Sequence, residues 1–510
     1  MMLRNRLLAL SLPVSLAAVA AAQDTPPSLE IARTYDTGLV RNTGERARTI
    51  ASFPVRAEGA PWIRLAFSEI ELPERGATLV ITSVLDGARQ ELRAEHCRQW
   101  RNTSAYFNGD DVQVEILADP SSGPCRVVLS SITAGVNPPS RLTQCGTTDD
   151  RVLSSDPRQG RALPIGCTAW LIDDCSHNFL TAGHCSGASL QTIEFNVPLS
   201  TASGAIQHPP PQDQYSVDVG SKQSTNGGIG NDWGYFGVFP NASTGLRPYQ
   251  KQHATYVLAP AAPAFDASIV IRITGYGVDS SPPQNNQVQQ TSTGPYALHS
   301  GTHVAYRTDT EGGNSGSPVL WDQQNLAIGI HTHGGCSASG GSNSGTASEH
   351  AGLRAALANP LGQCACRGEA STYCTGKINS QGCLEAIGSS GTPSATAGPG
   401  SFHVTGTQIL NNRLGVLFYA HALASTPFQG GTMCLAAPLS RTPAQLSGGN
   451  PGAPDCSGTF DFDMGARIAS GADASLVVGA NVFAQYFSRD AASPSGPYGL
   501  TNGLQFTVGP

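Results

Sequence analysis

Asp309-Thr310-Glu311-Gly312-Gly313-Asn314-Ser315-Gly316-Ser317-Pro318 is the stretch that decides the fold of this 510-residue chain. A serine between glycines on a tight turn suits acyl transfer. Its hydroxyl stands clear of the backbone while nearby amide N–H groups converge on a carbonyl oxygen. Gly313 and Ser315 are placed to supply those two N–H donors. A Gly-Ser-rich run also fits a flexible surface loop, so the decision falls to what lies upstream.

Upstream stand Thr181-Ala182-Gly183-His184-Cys185 and then Asn231-Asp232-Trp233. The order His, Asp, Ser in these local contexts resembles the chymotrypsin-like (trypsin-fold) serine endopeptidases, particularly their bacterial secreted glutamyl and lysyl branch. The resemblance covers residues 145 to 366 and implies a mainly β fold whose centre is a double β-barrel. It also implies a catalytic triad in which Ser315 is the nucleophile, His184 the general base and then acid, and Asp232 the carboxylate that orients the imidazole. Gly313 and Ser315 form the oxyanion hole.

The family bridge that pins the histidine loop matches Cys167 with Cys185. The bridge that ties the leading strand to the segment after the serine matches Cys145 with Cys336. Trypsin-type zymogens carry an aspartate just before the serine, which pairs with a freshly cut N-terminal ammonium. Here that position is Asn314, a neutral amide, so activation by insertion of a new terminus at Ile165-Gly166 is not expected.

Specificity has two readings. Asp309, six residues before Ser315, aligns with the pocket-floor aspartate of trypsin, where an unpaired carboxylate selects Arg or Lys. His331, in Gly329-Ile330-His331-Thr332-His333-Gly334, falls where glutamate-specific enzymes place a pocket histidine, with Thr310 as its hydroxyl partner and Thr332 beside Asp232 as a hydrogen-bond donor. Between Cys145 and Cys366 stand three Glu, two Lys and seven Arg. A secreted enzyme survives its own company when its preferred residue is rare, which favours an acidic residue before the scissile bond over Arg.

The start of the chain reads as an address. Arg4 and Arg6, an apolar run from Leu7 to Val19 and Ala20-Ala21-Ala22 make a signal peptide over residues 1–22, implying a secreted or periplasmic protein. No later apolar run is long enough for a membrane span. Charged residues are only 13%, while Gly (58) and Pro (35) abound, which favours turn-rich β structure. A net charge of −7 with no basic cluster excludes an electrostatic footprint for nucleic acid. Thirteen cysteines in an exported chain imply disulfides, and the odd count implies at least one free thiol or an intermolecular bridge. Cys97 with Cys125, Cys374 with Cys383, and Cys434 with Cys456 are the expected further pairs, with Cys175, Cys364 and Cys366 unassigned. His331-x-His333 lacks a third ligand and Cys364-x-Cys366 a second pair, so neither a metal nor a cofactor is expected.

Short alternating runs, such as Asp111-Val112-Gln113-Val114-Glu115-Ile116, predict an N-terminal β-sandwich domain over 23–136, read first as a pro-region. A polar linker punctuated by Arg141, Arg151, Arg158 and Arg161 follows over 137–164 and is expected to be exposed and cleavable. The protease domain spans 165–366 with an arm from 145. Leu353-Arg354-Ala355-Ala356-Leu357 predicts its closing helix. A Cys-containing linker covers 367–400 and a C-terminal β domain 401–510. Partners are protein or peptide substrates, with an extracellular polymer or surface for the flanking domains. The rival from another class is a catalytically silent binding protein on a protease scaffold. A lipase-like elbow is disfavoured because Ser317 stands where it needs glycine.

Overall fold

The computed structural model describes residues 25–136, 145–365 and 370–509. The signal peptide expected over 1–22 and the start of the expected linker, 137–144, lie outside the described residues. The N-terminal domain is a sandwich of two four-stranded antiparallel sheets. One runs Ser28–Asp36, Arg126–Gly135, Trp62–Glu71 and Phe107–Asn108; the other runs Arg48–Arg56, Asp111–Ala118, Ala77–Ser83 and Arg89–Leu92. Period-two alternation makes it. Val112, Val114, Ile116 and Ala118 point into the shared core while their neighbours face outward.

Two barrel-like antiparallel sheets follow. In the first, the strands Gln214–Ser216, Leu190–Glu194, Gln159–Pro164, Cys167–Leu171, Phe179–Thr181 and Asp232–Phe236 pair in that order. The Val217–Val238 bridge returns the last to the first. In the second, Leu326–His333, Pro318–Trp321, Val270–Gly275, Gln290–Ser300, His303–Tyr306 and Asn343–Ala347 pair in order, and Asn343–Ala347 returns to Leu326–His333. Gln223–Asn226 and the parallel strand Val257–Leu258 add an edge strand to each. This is the chymotrypsin-like double β-barrel. A helix over Ala351–Ala358 follows the last barrel strand.

The stretch expected as an exposed linker is corrected from residue 145 onward. Gln159–Pro164 is a central strand of the first barrel, and Val152–Leu153 pairs with Gln290–Thr291 of the second. Arg161 is wholly buried, with Nη2 at 2.6 Å from Glu194 Oε2 and the guanidinium also donating to the carbonyls of Gln287 and Gln207. A charged side chain reads as exposed in sequence, and only a partner distant in sequence makes its burial affordable.

The N-terminal domain and the first barrel share buried contacts. Tyr106 stacks on His208 with ring centroids 4.6 Å apart, and Arg64 crosses to Gln191 at 2.9 Å. Tyr106 N donates to Gln214 Oε1, and Gln214 Nε2 returns a bond to the Tyr106 carbonyl.

The C-terminal unit has its own core around Phe402, Tyr419, Phe460, Tyr486 and Phe506. It packs a larger sheet, centred on Asn481–Arg489 and Leu414–Ala420, with a three-stranded sheet of Ala386–Gly391, Phe402–Ile409 and Gly458–Asp463. Ala370–Tyr373 and Ala386–Gly391 are strands of this domain, so much of the expected 367–400 linker belongs to it.

Three expected disulfides are corrected. Cys374 bonds Cys434 and Cys383 bonds Cys456, each across about sixty to seventy residues of sequence, replacing the pairs nearest along the chain. Cys97 and Cys125 are separate buried thiols in the N-terminal core, and burial pushes the Cys97 thiol up to about 12. A disulfide needs Cα atoms within about 7 Å, which spacing along the sequence does not reveal. Cys175 is disulfide-bonded.

Candidate active site

The imidazole of His184 is delivered by a single turn. The strand Phe179–Thr181 runs into a short 3-10 helix, Gly183–Cys185, whose glycine lies so close to the Thr225 carbonyl that any side chain there would collide with it. The Cys167–Cys185 disulfide holds the far side of the turn. Asp232 opens the strand Asp232–Phe236, completely buried, and reaches His184 twice: Oδ1 accepts the His184 backbone N–H at 3.0 Å and Oδ2 lies 2.6 Å from Nδ1. Its own backbone is clasped by Thr346, whose Oγ1 accepts from Asp232 N at 3.0 Å and donates to Asp232 O at 2.8 Å. Holding an imidazole through Nδ1 fixes its orientation.

Ser315 sits on the loop between His303–Tyr306 and Pro318–Trp321, packed against the strands that carry His184. The Ser315 carbonyl accepts from Thr168 N at 2.9 Å, and Cys185 Sγ lies 3.7 Å from it. Gly313 (φ +96°) and Gly316 (φ +93°) take the left-handed conformations that this turn needs, and at Gly316 a side chain would strike the Thr168 carbonyl.

The N–H groups of Gly313 and Ser315 have no acceptor among the described residues. The carbonyls of the same peptide groups are fixed: Gly312 O accepts from Val278 N at 2.8 Å, and Asn314 O accepts from Ser317 N at 2.9 Å. Peptide planarity then aims both N–H groups away from those bonds. Asn314 is buried, and its Oδ1 accepts the Glu311 N–H at 2.9 Å, so it orders its own loop. Ile165 lies buried in the connection between two barrel strands, where Ile165 N donates to Ser189 O.

The residues expected to contact substrate divide. Asp309 is buried and its carboxylate is engaged, Oδ1 accepting from Cys145 N at 2.8 Å and Oδ2 from Asp150 N at 3.0 Å. It is therefore not the unpaired pocket-floor acid that selection of Arg or Lys requires. Thr310 accepts from Asn343 Nδ2 at 2.9 Å. Thr332 is also corrected: its hydroxyl lies 2.8 Å from His333 Nδ1 and 3.3 Å from Ser344 O rather than on Asp232. His331 is buried in the strand Leu326–His333, with Nδ1 2.7 Å from the Tyr306 hydroxyl. Burial, with His184 and His333 nearby, lowers its pKa to about 3. The His333 ring lies 6.1 Å from that of His184.

Four participants were not found by sequence reasoning: Thr346, Tyr306, Asn343 and Val278. Asn343 bridges the Thr308 carbonyl, the Thr310 hydroxyl and the backbone N–H groups of Gly335 and Cys336, beside the Cys145–Cys336 disulfide. None carries a local motif. Each is defined by a contact with a segment elsewhere in the chain.

No family model matches the chain. Among solved structures, a Glu endopeptidase in complex with MPD aligns at 19% identity over 42% of this chain and 100% of its own, with a TM-score of 0.33. A thermostable serine protease, AL20, from an extremophilic microorganism aligns at 13% over 40% of this chain and 98% of its own, with a TM-score of 0.31. Human heparin binding protein aligns at 15% over 42% and 98%, also with a TM-score of 0.31. These likenesses are too distant to carry an argument about chemistry. Among the described residues no helix is long and apolar enough to cross a membrane.

Proposed function

We propose that the chain is a secreted serine endopeptidase working through Ser315, His184 and Asp232. The observation that carries this reading is the Asp232–His184 pair, anchored at both the ring and the backbone, together with a serine loop whose Gly313 and Ser315 N–H groups have no acceptor among the described residues. Ser315 Oγ attacks the scissile carbonyl as His184 accepts its proton. The carbonyl oxygen becomes an oxyanion held by the two N–H groups. His184 then returns the proton to the leaving amine as the C–N bond breaks, and water resolves the acyl ester by the same steps in reverse order.

We also propose a preference for an acidic residue before the scissile bond. His331 carries it as a neutral donor, while the engagement of Asp309 by Cys145 and Asp150 weighs against Arg or Lys. Proteins or peptides are the substrates, and neither a metal nor a cofactor takes part.

Ser315→Ala, His184→Ala and their double variant test the triad together. Each single change is expected to remove nearly all hydrolysis of a fluorogenic peptide library, with the double variant hardly worse than either, because residues acting as one unit are non-additive. Losses that multiply would refute the assignment, and a silent wild type would favour the binding-protein reading.

A further inference from the structure

The segment Cys145–Leu153, ahead of the barrels, passes beneath the serine loop and is fastened to it repeatedly. Cys145 is bonded to Cys336. The backbone N–H groups of Cys145 and Asp150 cap the Asp309 carboxylate, and Asp150 Oδ1 accepts from Ser292 Oγ at 2.6 Å. At the end of this arm the Arg151 side chain is buried. Its guanidinium forms a fork with Asp149, Nη2 lying 2.6 Å from Oδ2 and Nε 3.0 Å from Oδ1, and stands 3.8 Å from Asp279 Oδ2. Burial alone would lower its pKa, and Asp149, Asp279 and Glu311 outweigh that and hold it raised.

One further bond of Arg151 has no obvious purpose in holding the arm. Nη1 donates to the Val278 carbonyl at 3.1 Å. The N–H of that same Val278 donates to the Gly312 carbonyl at 2.8 Å. Gly312 O and Gly313 N belong to one planar peptide group, so the orientation of an oxyanion-hole donor is set by Val278, and Val278 is held by Arg151. Gly313, at φ +96°, has no side chain to resist rotation of that peptide. Room is tight on this side. A side chain at Gly277 would strike Asn314 Oδ1 and come within 2.7 Å of Arg151 Nη1.

We propose that Arg151 is a positioning residue, an internal cation that fixes the Gly312–Gly313 peptide through Val278 and keeps the oxyanion hole formed without a newly cut chain terminus. Asn314, being neutral, leaves that role open. Arg151 touches no reacting atom and acts entirely through Val278. The kinetic consequences rest on the serine endopeptidase reading, whereas the structural ones do not.

The test compares the full-length protein with Arg151→Lys and with Asp149→Asn/Arg151→Gln, the double variant neutralising both members of the fork while Asp279 keeps its bonds from Ser281 N and Gln290 Nε2. Amide hydrogen exchange is read first, since it needs no activity. The Val278 amide is expected to exchange at least about tenfold faster in the double variant, with Val319 and Ile330 in the adjoining barrel strands unchanged. Uniform acceleration across the barrel, or no change at Val278, would overturn the proposal. In the kinetic arm, kcat is expected to fall about 100-fold with KM little changed, and binding of a peptide aldehyde to weaken by a similar factor, because both depend on the oxyanion donors. Arg151→Lys, which keeps the charge and loses the fork, should fall between. Equal kcat in an active wild type and both variants would overturn the proposal while leaving the endopeptidase reading intact. An inactive wild type would count against that reading alone, with the exchange data still deciding the role of Arg151.

Discussion

The Tyr306 hydroxyl lies 2.7 Å from His331 Nδ1, both side chains buried in strands of the second barrel that flank Asn343–Ala347. Burial raises the phenol well above its ordinary range, so it keeps its proton and has it to donate. When the Tyr306 O–H donates a hydrogen bond to Nδ1, the neutral ring carries its own hydrogen on Nε2, a donor suited to a substrate carboxylate. Tyr306→Phe is therefore expected to lower kcat/KM for peptides with Glu before the scissile bond by about tenfold or more. Peptides with a neutral residue there should change little. Equal losses for both would show that Tyr306 serves packing alone.

The same burial makes the second barrel sensitive to acid. His331 is held to about 3 in the folded chain against an ordinary 6.5, so between those values the unfolded chain binds a proton that the folded one refuses. Stability must then fall as pH drops through that window, by at most on the order of 5 kcal/mol from this one group. His331→Gln removes the titration, and denaturant unfolding from pH 6.5 to 3.5 should show a slope shallower by close to one proton. An unchanged slope would mean that His331 is protonated in the folded protein.

The N-terminal domain is expected to be a permanent part of the fold. Arg64 is buried and spreads its donors over Ser104, Thr103, Tyr106 and Gln191, and Trp62, Tyr106, Leu163 and Ile206 form one apolar cluster with residues from both domains. Tyr106→Ala opens a cavity against His208 and should cost about 3 kcal/mol of stability. Thermal unfolding that reports separately on barrel tryptophans should show the first barrel destabilised too. Unaltered barrel unfolding would restore the reading of residues 23–136 as a removable pro-region.

The double barrel was legible, and so was the pairing of His184 with Asp232, because these segments carry local signatures. A histidine before a bridging cysteine and a serine among glycines are readable within five residues. Asp309 shows where local reading ends. Its spacing from Ser315 suggested a pocket floor, and only the arm from Cys145 to Asp150, more than 150 residues earlier, consumes its carboxylate. Arg161 and Arg151 read as linker charges because Glu194 and Val278, which bury them, are distant in sequence. The cysteines of the C-terminal domain failed for the same reason. Chain proximity suggested Cys374 with Cys383, whereas the folded sheets bring Cys374 to Cys434.

The central claim is that Ser315 is an activated nucleophile. It is tested most directly by labelling the protein with a fluorophosphonate and locating the adduct by peptide mass spectrometry. The account predicts stoichiometric modification on Ser315 alone, absent in Ser315→Ala and slowed by orders of magnitude in His184→Ala and Asp232→Asn. An unlabelled Ser315 in the folded wild-type protein, or labelling that persists undiminished without His184, would contradict it.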